Sequence, residues 1–83
     1  MKMKAVRIQL NGGLEARPVA MLVQVASQHD STVYLESEGK KVNAKSIMGM
    51  MSLVLTAGDS VTICADGEDQ EKAIAKLEEF LTA

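Results

Sequence analysis

Apolar and polar residues alternate at the start of the chain, where Val6, Ile8 and Leu10 are spaced two residues apart. This spacing predicts a half-buried strand over residues 4–10, because successive side chains of a strand point to opposite faces. Similar patterns predict three further strands, over residues 32–37, 41–44 and 60–65. The Glu-Gly-Lys sequence at residues 38–40 is typical of a tight connection, so the second and third strands are expected to form a hairpin.

Three other segments have the spacing of helices. In residues 16–27, apolar positions recur every three or four residues, and Pro18 suits a first helical turn because its missing N–H would have no partner there. This segment is more apolar than one buried face requires, and some of the surplus is expected to face a partner. Its apolar residues are Ala16, Val19, Ala20, Met21, Leu22, Val23, Val25 and Ala26. The other predicted helices are a short, methionine-rich one at residues 46–53 and an amphipathic one at about residues 70–81.

The predicted elements follow one another in the order β-α-β-β-α-β-α. Four half-apolar strands and three helices favour a two-layer α+β fold, an open-faced β-sandwich in which the helices cover one face of a mostly antiparallel, four-stranded sheet. The chain has 83 residues, of which 47% are hydrophobic. This is enough for one small domain, residues 1–83, to fold without a metal or a disulfide. Strand order does not follow from periodicity alone.

Charge and cysteine content exclude several classes of protein. A formal net charge of −2 leaves no basic footprint for direct nucleic-acid binding. Cys64 is the only cysteine, so neither an internal disulfide nor a cysteine-based metal cluster can form. No leader is visible, and no apolar run approaches the roughly 18 residues of a membrane span. We therefore expect a soluble, cytoplasmic protein without a cofactor or metal. Five acidic residues are expected on the solvated side of the last helix: Glu68, Asp69, Glu71, Glu78 and Glu79.

Two polar residues lie at predicted helix starts, where unpaired backbone N–H groups and the helix dipole attract anions. The first is Glu15, which precedes the helix that contains Arg17. A phosphorylated group at this position could use the helix amides and the Arg17 guanidinium. The Glu15 carboxylate could instead occupy the same donors. On spacing alone, a surface glutamate beside a solvated arginine is the simpler interpretation.

The second of these residues is Ser46, at the start of the methionine-rich helix. As an ordinary N-cap, contributing about 1 kcal/mol, it needs no further role. However, Met48, Met50 and Met51 are more methionines than a short packed helix usually contains. Flexible methionine surfaces suit partners of varied shape. A phosphate on Ser46 would lie at the positive end of the helix and would change the charge of this surface.

Both helix starts resemble motifs of HPr, the small phosphocarrier of the bacterial sugar phosphotransferase system. One motif is Gly13-Leu14-x-Ala16-Arg17-Pro18, and the other is Lys45-Ser46-Ile47-Met48-Gly49-x-Met51-Ser52-Leu53. They occur at the separation expected of that family, with Val42-Asn43-Ala44 before the second motif and Ala65-Asp66-Gly67 after the fourth strand. The resemblance covers essentially the whole chain and implies the α+β fold described above.

The chain departs from that family at residue 15. The phosphorylated histidine of HPr proteins stands between the equivalents of Leu14 and Ala16, where this chain has Glu15. A carboxylate cannot form a phosphoimidazole, so the resemblance implies that the ordinary phosphate relay is lost. His29 is expected to be a solvated loop residue about one helix length from Arg17, and it cannot substitute.

The residues that remain match the second activity of the family. In this respect the chain is similar to the histidine-lacking branch of the family, catabolite-repression HPr (Crh). In HPr-like proteins of many Gram-positive bacteria, the serine equivalent to Ser46 is phosphorylated by an ATP-dependent HPr kinase/phosphorylase. The phosphoprotein then acts as corepressor of a LacI-type catabolite control repressor. Glutamine is more usual in that branch at position 15, where Glu15 adds a permanent negative charge. The residues implied to contact the kinase and repressor are Arg17, Ala20, Gln24, Ile47, Met48, Met51 and Leu53.

These patterns favour a regulatory binding protein rather than an enzyme, and two other interpretations stay open. One is a phosphocarrier that works with the phosphotransferase-system enzymes, either through Glu15 or as an HPr whose histidine has been replaced. The other is a protein that docks constitutively in a transport or metabolic assembly. The flexible Asn11-Gly12-Gly13 segment after the first strand is compatible with either a monomer or a strand-exchanged dimer.

Overall fold

The computed structural model describes residues 1–10, 16–53 and 55–82. Its elements are β1 (Lys2–Arg7), α1 (Ala16–Ser27), β2 (Thr32–Ser37), β3 (Lys40–Asn43), α2 (Ile47–Met51), β4 (Ser60–Asp66) and α3 (Gln70–Leu81). The predicted order of strands and helices is therefore confirmed. Both long helices begin and end where the apolar spacing predicts.

The four strands form one sheet in the order β1-β4-β2-β3, and each neighbouring pair is antiparallel. β1 and β3 are therefore the edge strands. The buried side chains of one sheet face and of the three helices belong to a single hydrophobic cluster. This arrangement confirms the predicted open-faced α+β sandwich, and it supplies the strand order that periodicity left undetermined.

Inward-facing side chains of the sheet meet the buried faces of the helices in the core. On β4, Val61, Ile63 and Ala65 are at most 2% exposed, and Leu35 of β2 pairs opposite Ile63. The helices contribute Val19, Leu22, Val23, Ala26, Met50, Ala73, Ile74, Leu77 and Leu81. Full burial of one such large side chain stabilises the fold by about 1.5–3 kcal/mol. Packing of these faces, more than local propensity, therefore fixes where each helix lies.

β1 begins and ends earlier than predicted, at Lys2–Arg7 rather than 4–10. Ile8 is buried, as the alternation predicts, but its backbone leaves the ladder with β4. The N–H of Ile8 donates to the carbonyl of Asp59 at 2.9 Å, and the N–H of Gly58 donates to the carbonyl of Ile8 at 2.7 Å. Ile8 thus forms hydrogen bonds with the turn before β4 and not with β4 itself, and side-chain periodicity cannot predict such contacts.

The hairpin between β2 and β3 is tighter than predicted. Glu38 and Gly39 both have positive φ angles, of 52° and 78°. Positive φ at both central residues is characteristic of a two-residue type I′ turn, whose twist matches that of the flanking strands. Lys40 pairs with Ser37 as a result, and β3 begins one residue earlier than the sequence predicts.

α1 buries more of its apolar side chains than the pattern predicts. Val19 and Leu22 lie in the core at 1% and 0% exposure, and Val25 packs against the core from a half-buried position. Ala20 and Met21 are exposed. The helix has a wide buried face because it contacts both α2 and α3. Of the apolar side chains that the structure describes in residues 17–27, Ala20 and Met21 are therefore the exposed ones.

Two of the acidic residues expected on the solvated side of the last helix also bind other segments of the chain. Asp69 accepts hydrogen bonds from the N–H groups of Asp30 and Ser31, at 2.9 and 3.0 Å, and from the Ser31 hydroxyl. Glu78 accepts from the Lys4 ammonium at 2.9 Å. The N-terminal end of α3 is thereby joined to the turn before β2, and its C-terminal half is joined to β1.

In the described ranges, no helix combines the length and apolar character that a membrane crossing requires. The longest helices, α1 and α3, have 12 residues each. Over the same ranges, no three His, Cys, Asp or Glu side chains are grouped so that they could hold a metal ion.

Candidate phosphorylation site and docking surface

Ser46 is the N-cap of α2. Its backbone is extended, with φ −113° and ψ 116°, and its hydroxyl accepts a hydrogen bond from the N–H of Gly49 at 3.1 Å. The N–H of Met50 donates to the carbonyl of Ser46 at 2.9 Å and closes the first turn. The predicted helix start is confirmed, although the helix is shorter than predicted and spans Ile47–Met51. The hydroxyl oxygen consequently lies at the positive end of α2.

Contacts at several points hold this five-residue helix in place. Met50 points into the core and has no exposed surface. At the C-terminal end, the N–H of Ser52 donates to the carbonyl of Gly49 at 3.2 Å, and the Lys40 ammonium donates to the carbonyl of Ser52 at 2.8 Å. A cation is favourable at a helix C-terminus, so Lys40 fixes the end of α2 against β3.

The outward side of α2 carries large apolar side chains. Ile47, Met48 and Met51 are 52%, 83% and 52% exposed. α1 contacts α2 and adds one further exposed methionine, Met21, at 51%. We call these four residues, Met21, Ile47, Met48 and Met51, the methionine patch. Exposed apolar groups of this size on neighbouring helices are typical of an interaction surface.

The resemblance to HPr implies seven residues that contact the kinase and the repressor, and six of these residues are exposed. They are Arg17, Ala20 and Gln24 on α1, and Ile47, Met48 and Met51 on α2. The exception is Leu53, which is 5% exposed and packs in the core because the chain turns inward after α2. We therefore remove Leu53 from the docking surface.

Met21 is a surface residue that the motif comparison did not assign to the docking surface. It lies three residues before Gln24 and four residues after Arg17, so the three side chains share one face of α1. The excess of apolar residues in α1 was the signal that an exposed residue such as Met21 could face a partner. Periodicity alone could not show which of these apolar residues are exposed.

Lys45 has a structural role that the sequence did not indicate. Its ammonium donates to the carbonyl of His29 at 2.6 Å, and its N–H donates to the Asn43 side chain at 2.8 Å. His29 is itself half-buried, and its Nδ1 donates to the carbonyl of Val25 at 3.1 Å. The predicted loop position of His29 after α1 is confirmed, but its side chain is half-buried and not fully solvated. α1 has no basic residue in its last turn, and the Lys45 ammonium lies just beyond the end of the helix, at the carbonyl of His29.

The predicted anion position at the start of α1 lies partly outside the described residues, which omit Glu15 and the segment 11–14. The relation of the Glu15 carboxylate to the helix amides stays a prediction from the sequence. Arg17 is described and exposed in the first turn of α1.

Comparison with known proteins gives consistent matches along nearly the whole chain. The family model described as "PTS HPr component phosphorylation site" matches residues 2–83. The HPr-like protein Crh of Bacillus subtilis (strain 168) is 49% identical over 81 residues, which cover 98% of this chain and 95% of that protein. A crystal structure of the phosphocarrier protein HPr from Bacillus anthracis superposes with a TM-score of 0.93 at 42% identity, covering 96% and 95% of the two chains. A crystal structure of Bacillus subtilis Crh, described as a dimer with a swapped domain, has a TM-score of 0.78 at 49% identity, covering 98% and 93%.

These similarities extend beyond the two short motifs. A TM-score of 0.93 means that the sheet and the helices of this chain superpose on those of a phosphocarrier protein. An identity of 49% over 98% of the chain adds agreement at the level of single residues. The chain therefore belongs to the HPr family.

Proposed function

We propose that this protein is an HPr-like regulatory protein, phosphorylated on Ser46 by an ATP-dependent HPr kinase/phosphorylase, and that the phosphoprotein acts as corepressor of a LacI-type catabolite control repressor in the cytoplasm. In this role it is a binding protein and not an enzyme. The observation that carries the proposal is the position of the Ser46 hydroxyl at the start of α2, beside Ile47 and Met48, which are 52% and 83% exposed. The 49% identity to the HPr-like protein Crh supports the same assignment.

Phosphorylation of Ser46 changes the charge of this surface and can preserve the cap. The kinase transfers the γ-phosphoryl group of ATP to Oγ: the new O–P bond forms as the bond to the bridging oxygen breaks, ADP leaves, and a base of the kinase takes the hydroxyl proton. The product carries about −1.5 to −2 charges at pH 7. Its oxygens can accept hydrogen bonds from the first N–H groups of α2, as Oγ accepts from Gly49 in the unmodified protein.

The modified surface would combine a dianion with an apolar patch. A partner that offers a basic side chain beside an apolar pocket gains a charge-assisted hydrogen bond only after phosphorylation. The apolar contact with Met48 and its neighbours is available in both states. Affinity is therefore expected to come from the methionine patch together with Ser46, and regulation from the phosphate alone.

Incubation with HPr kinase/phosphorylase and ATP, followed by mass spectrometry, tests the modification. We expect one phosphate on the wild type and none on Ser46→Asn, because asparagine keeps an N-cap acceptor but cannot be esterified. Ser52→Ala is the matched control, since Ser52 is an exposed serine at the other end of α2. This variant should be phosphorylated like the wild type. An unmodified wild type, or a phosphate on Ser46→Asn, would reject Ser46 as the site.

Titration of the phosphorylated and unphosphorylated protein with a LacI-type catabolite control repressor tests the docking step. Fluorescence anisotropy should give at least about a ten-fold higher affinity for the phosphoprotein, which corresponds to one charge-assisted hydrogen bond of about 1.5–3 kcal/mol. Equal affinities would favour constitutive docking, the interpretation in which phosphorylation has no part.

The phosphocarrier alternative requires chemistry at residue 15. Phosphoenolpyruvate and the first enzyme of the phosphotransferase system test it directly. We expect no phosphate on the wild type, because Glu15 cannot form a phosphoimidazole. Glu15→His should accept phosphate on the new imidazole if the rest of the carrier site is intact. Acid- or base-labile phosphate on Glu15 of the wild type would establish a relay and contradict the proposed loss of that function.

We also propose that β1 can be exchanged between two copies. β1 is an edge strand that pairs only with β4 within the described part of the chain, and one solved relative is described as a dimer with a swapped domain. Exchange would preserve every β1–β4 backbone hydrogen bond, so its cost lies mainly in the connecting segment. Multi-angle light scattering should detect monomer and dimer that interconvert slowly, whereas a single monomeric species at all concentrations would contradict exchange.

A further inference from the structure

The methionines of this chain differ widely in exposure. Met48 is 83% exposed, and Met21 and Met51 are 51% and 52% exposed. Met50, which lies between Met48 and Met51 on the same short helix, has no exposed surface. Cys64 is only 2% exposed, so its thiol is shielded as well. The accessible sulfur of the two-helix surface therefore belongs to the methionine patch.

We propose that the methionine patch is a reversible oxidation site, in which a peroxide converts Met48 first, and Met21 and Met51 after it, to sulfoxides that block docking. The proposal rests on the proposed function, because docking through this patch is what oxidation would regulate. In each step the thioether sulfur attacks one oxygen of hydrogen peroxide. An S–O bond forms, the O–O bond breaks, the sulfur is oxidised by two electrons, and the second oxygen leaves as water.

Exposure sets the order of reaction. A peroxide must reach the sulfur, and access to the two side chains differs because Met48 is 83% exposed whereas Met50 has no exposed surface. These two residues share the same short helix and differ mainly in burial. Met50 is therefore an internal reference for the effect of burial on the reaction rate.

Oxidation of the patch changes binding more than folding. A sulfoxide is polar, and its oxygen would lose hydrogen bonds to water if it were buried against an apolar pocket of a partner. The fold depends instead on the buried thioether of Met50 and on the cap at Ser46. An oxidised patch should leave both in place.

Two exposed methionines lie outside the patch and serve as controls. Met1 and Met3 are 65% and 60% exposed. Met3 belongs to β1, at the edge of the sheet opposite β3, and β3 is the strand that α2 contacts. Oxidation of Met3 should leave docking unchanged, although its exposure is similar to that of Met51.

Peptide mapping after limited treatment with hydrogen peroxide tests the first part of the proposal. We expect Met48 to be oxidised faster than Met21 and Met51, and Met50 to react at least about ten-fold more slowly than Met48. Methionine sulfoxide reductases should restore the unmodified mass. Equal rates for Met48 and Met50 would overturn the assignment of the patch as a selective oxidation site.

Anisotropy with the LacI-type repressor tests the second part, using the ratio of affinities of each Ser46-phosphorylated protein before and after peroxide. The wild type should bind about ten-fold or more weakly after oxidation, which corresponds to one apolar contact replaced by a buried polar group. In the variant Met21→Leu/Met48→Leu/Met51→Leu, the ratio should stay within about two-fold, because leucine is not oxidised. Met3→Leu should lose affinity after peroxide as the wild type does.

The outcomes separate the oxidation switch from the function on which it rests. If the reduced phosphoprotein does not bind the repressor, the proposed function fails and the switch fails with it. If the reduced form binds and the oxidised wild type binds equally well, only the switch is overturned. A loss of binding that is the same in the triple leucine variant would place the damage outside the patch and would also overturn it.

Discussion

Asp69 shows how one residue can join segments that lie far apart in the sequence. Its carboxylate accepts the Ser31 hydroxyl and the N–H groups of Asp30 and Ser31, so the turn before β2 is held against the start of α3. These donors, the hydroxyl above all, stabilise the charged form and lower the pKa of Asp69 from 3.8 to about 2. Gly67 permits the close approach, because a Cβ at that position would lie 2.7 Å from the Ser31 Cα.

We expect Asp69 to contribute to acid unfolding. Its folded pKa of about 2 is below the ordinary value of 3.8, so the unfolded chain binds more protons between these pH values. The contribution is present above about pH 4 and is lost as the pH falls toward 2. In urea unfolding across this range, the rise of unfolding free energy with pH should be shallower for Asp69→Asn than for the wild type. Glu79→Gln, an exposed change on the same helix, controls for the loss of one carboxylate. Identical slopes for Asp69→Asn and the wild type would contradict the prediction.

A second prediction concerns the cap at Ser46. Ser46→Ala removes the acceptor of the Gly49 N–H and should lower the free energy of unfolding by about 1 kcal/mol. Ser46→Asn should cost much less, because asparagine is also a good N-cap. Urea unfolding of the two variants measures the difference. Equal stabilities would show that the side chain of residue 46 does not cap α2.

Among the elements, α2 depends most directly on its surroundings. A five-residue helix is too short to be stable by itself in water. It is held by the buried side chain of Met50, by the Ser46 cap and by the Lys40 ammonium at its C-terminal end. Because these contacts use the inward side and the two ends, the outward side is free to carry the apolar residues of the methionine patch.

Met48 and Met50, which are separated by Gly49 in α2, should therefore respond differently to truncation. Met50→Ala leaves a cavity in the core and should cost about 2–5 kcal/mol. Met48→Ala changes an exposed side chain and should stay within about 0.5 kcal/mol. Both values can be measured by urea unfolding under the same conditions. Equal losses would mean that Met48 also supports the core.

At the scale of the whole molecule, the proposed regulatory site lies on the protein surface, outside the hydrophobic core. No residue of the methionine patch belongs to the hydrophobic cluster, whereas Met50 and Leu53 beneath it do. A charge added at Ser46 therefore meets solvent and the start of α2 and does not enter the interior. We infer that phosphorylation acts on partner binding and leaves the fold intact.

Phosphorylation of Ser46 should consequently change the unfolding temperature by less than about 5 °C, which for a domain of this size corresponds to roughly 1 kcal/mol. The favourable interaction with the helix dipole partly offsets the desolvation of the phosphate. Scanning calorimetry of the modified and unmodified protein measures the shift. Loss of a cooperative transition in the phosphoprotein would show that modification acts through unfolding.

Several features of this protein could be predicted from the sequence because they depend on short-range patterns. The apolar spacing predicted helices over residues 16–27 and about 70–81, and α1 and α3 occupy these ranges. Ser46 could be predicted as an N-cap because a serine hydroxyl before a helical segment can accept a hydrogen bond from a backbone N–H of the first turn. The two motifs of the HPr family also lie within short segments.

Only the tertiary structure decided the features that depend on long-range contacts. The strand order, the burial of Leu53 and the hydrogen bonds of Asp69 and Lys45 all join residues that local spacing cannot relate. The difference in exposure between Met50 and Met48 has the same cause. Both are methionines of one short helix, and only the packing of α2 against the core determines which of them is buried. The sequence by itself determined the elements and the serine at the start of α2, whereas the three-dimensional packing determined which side chains form the surface around that serine.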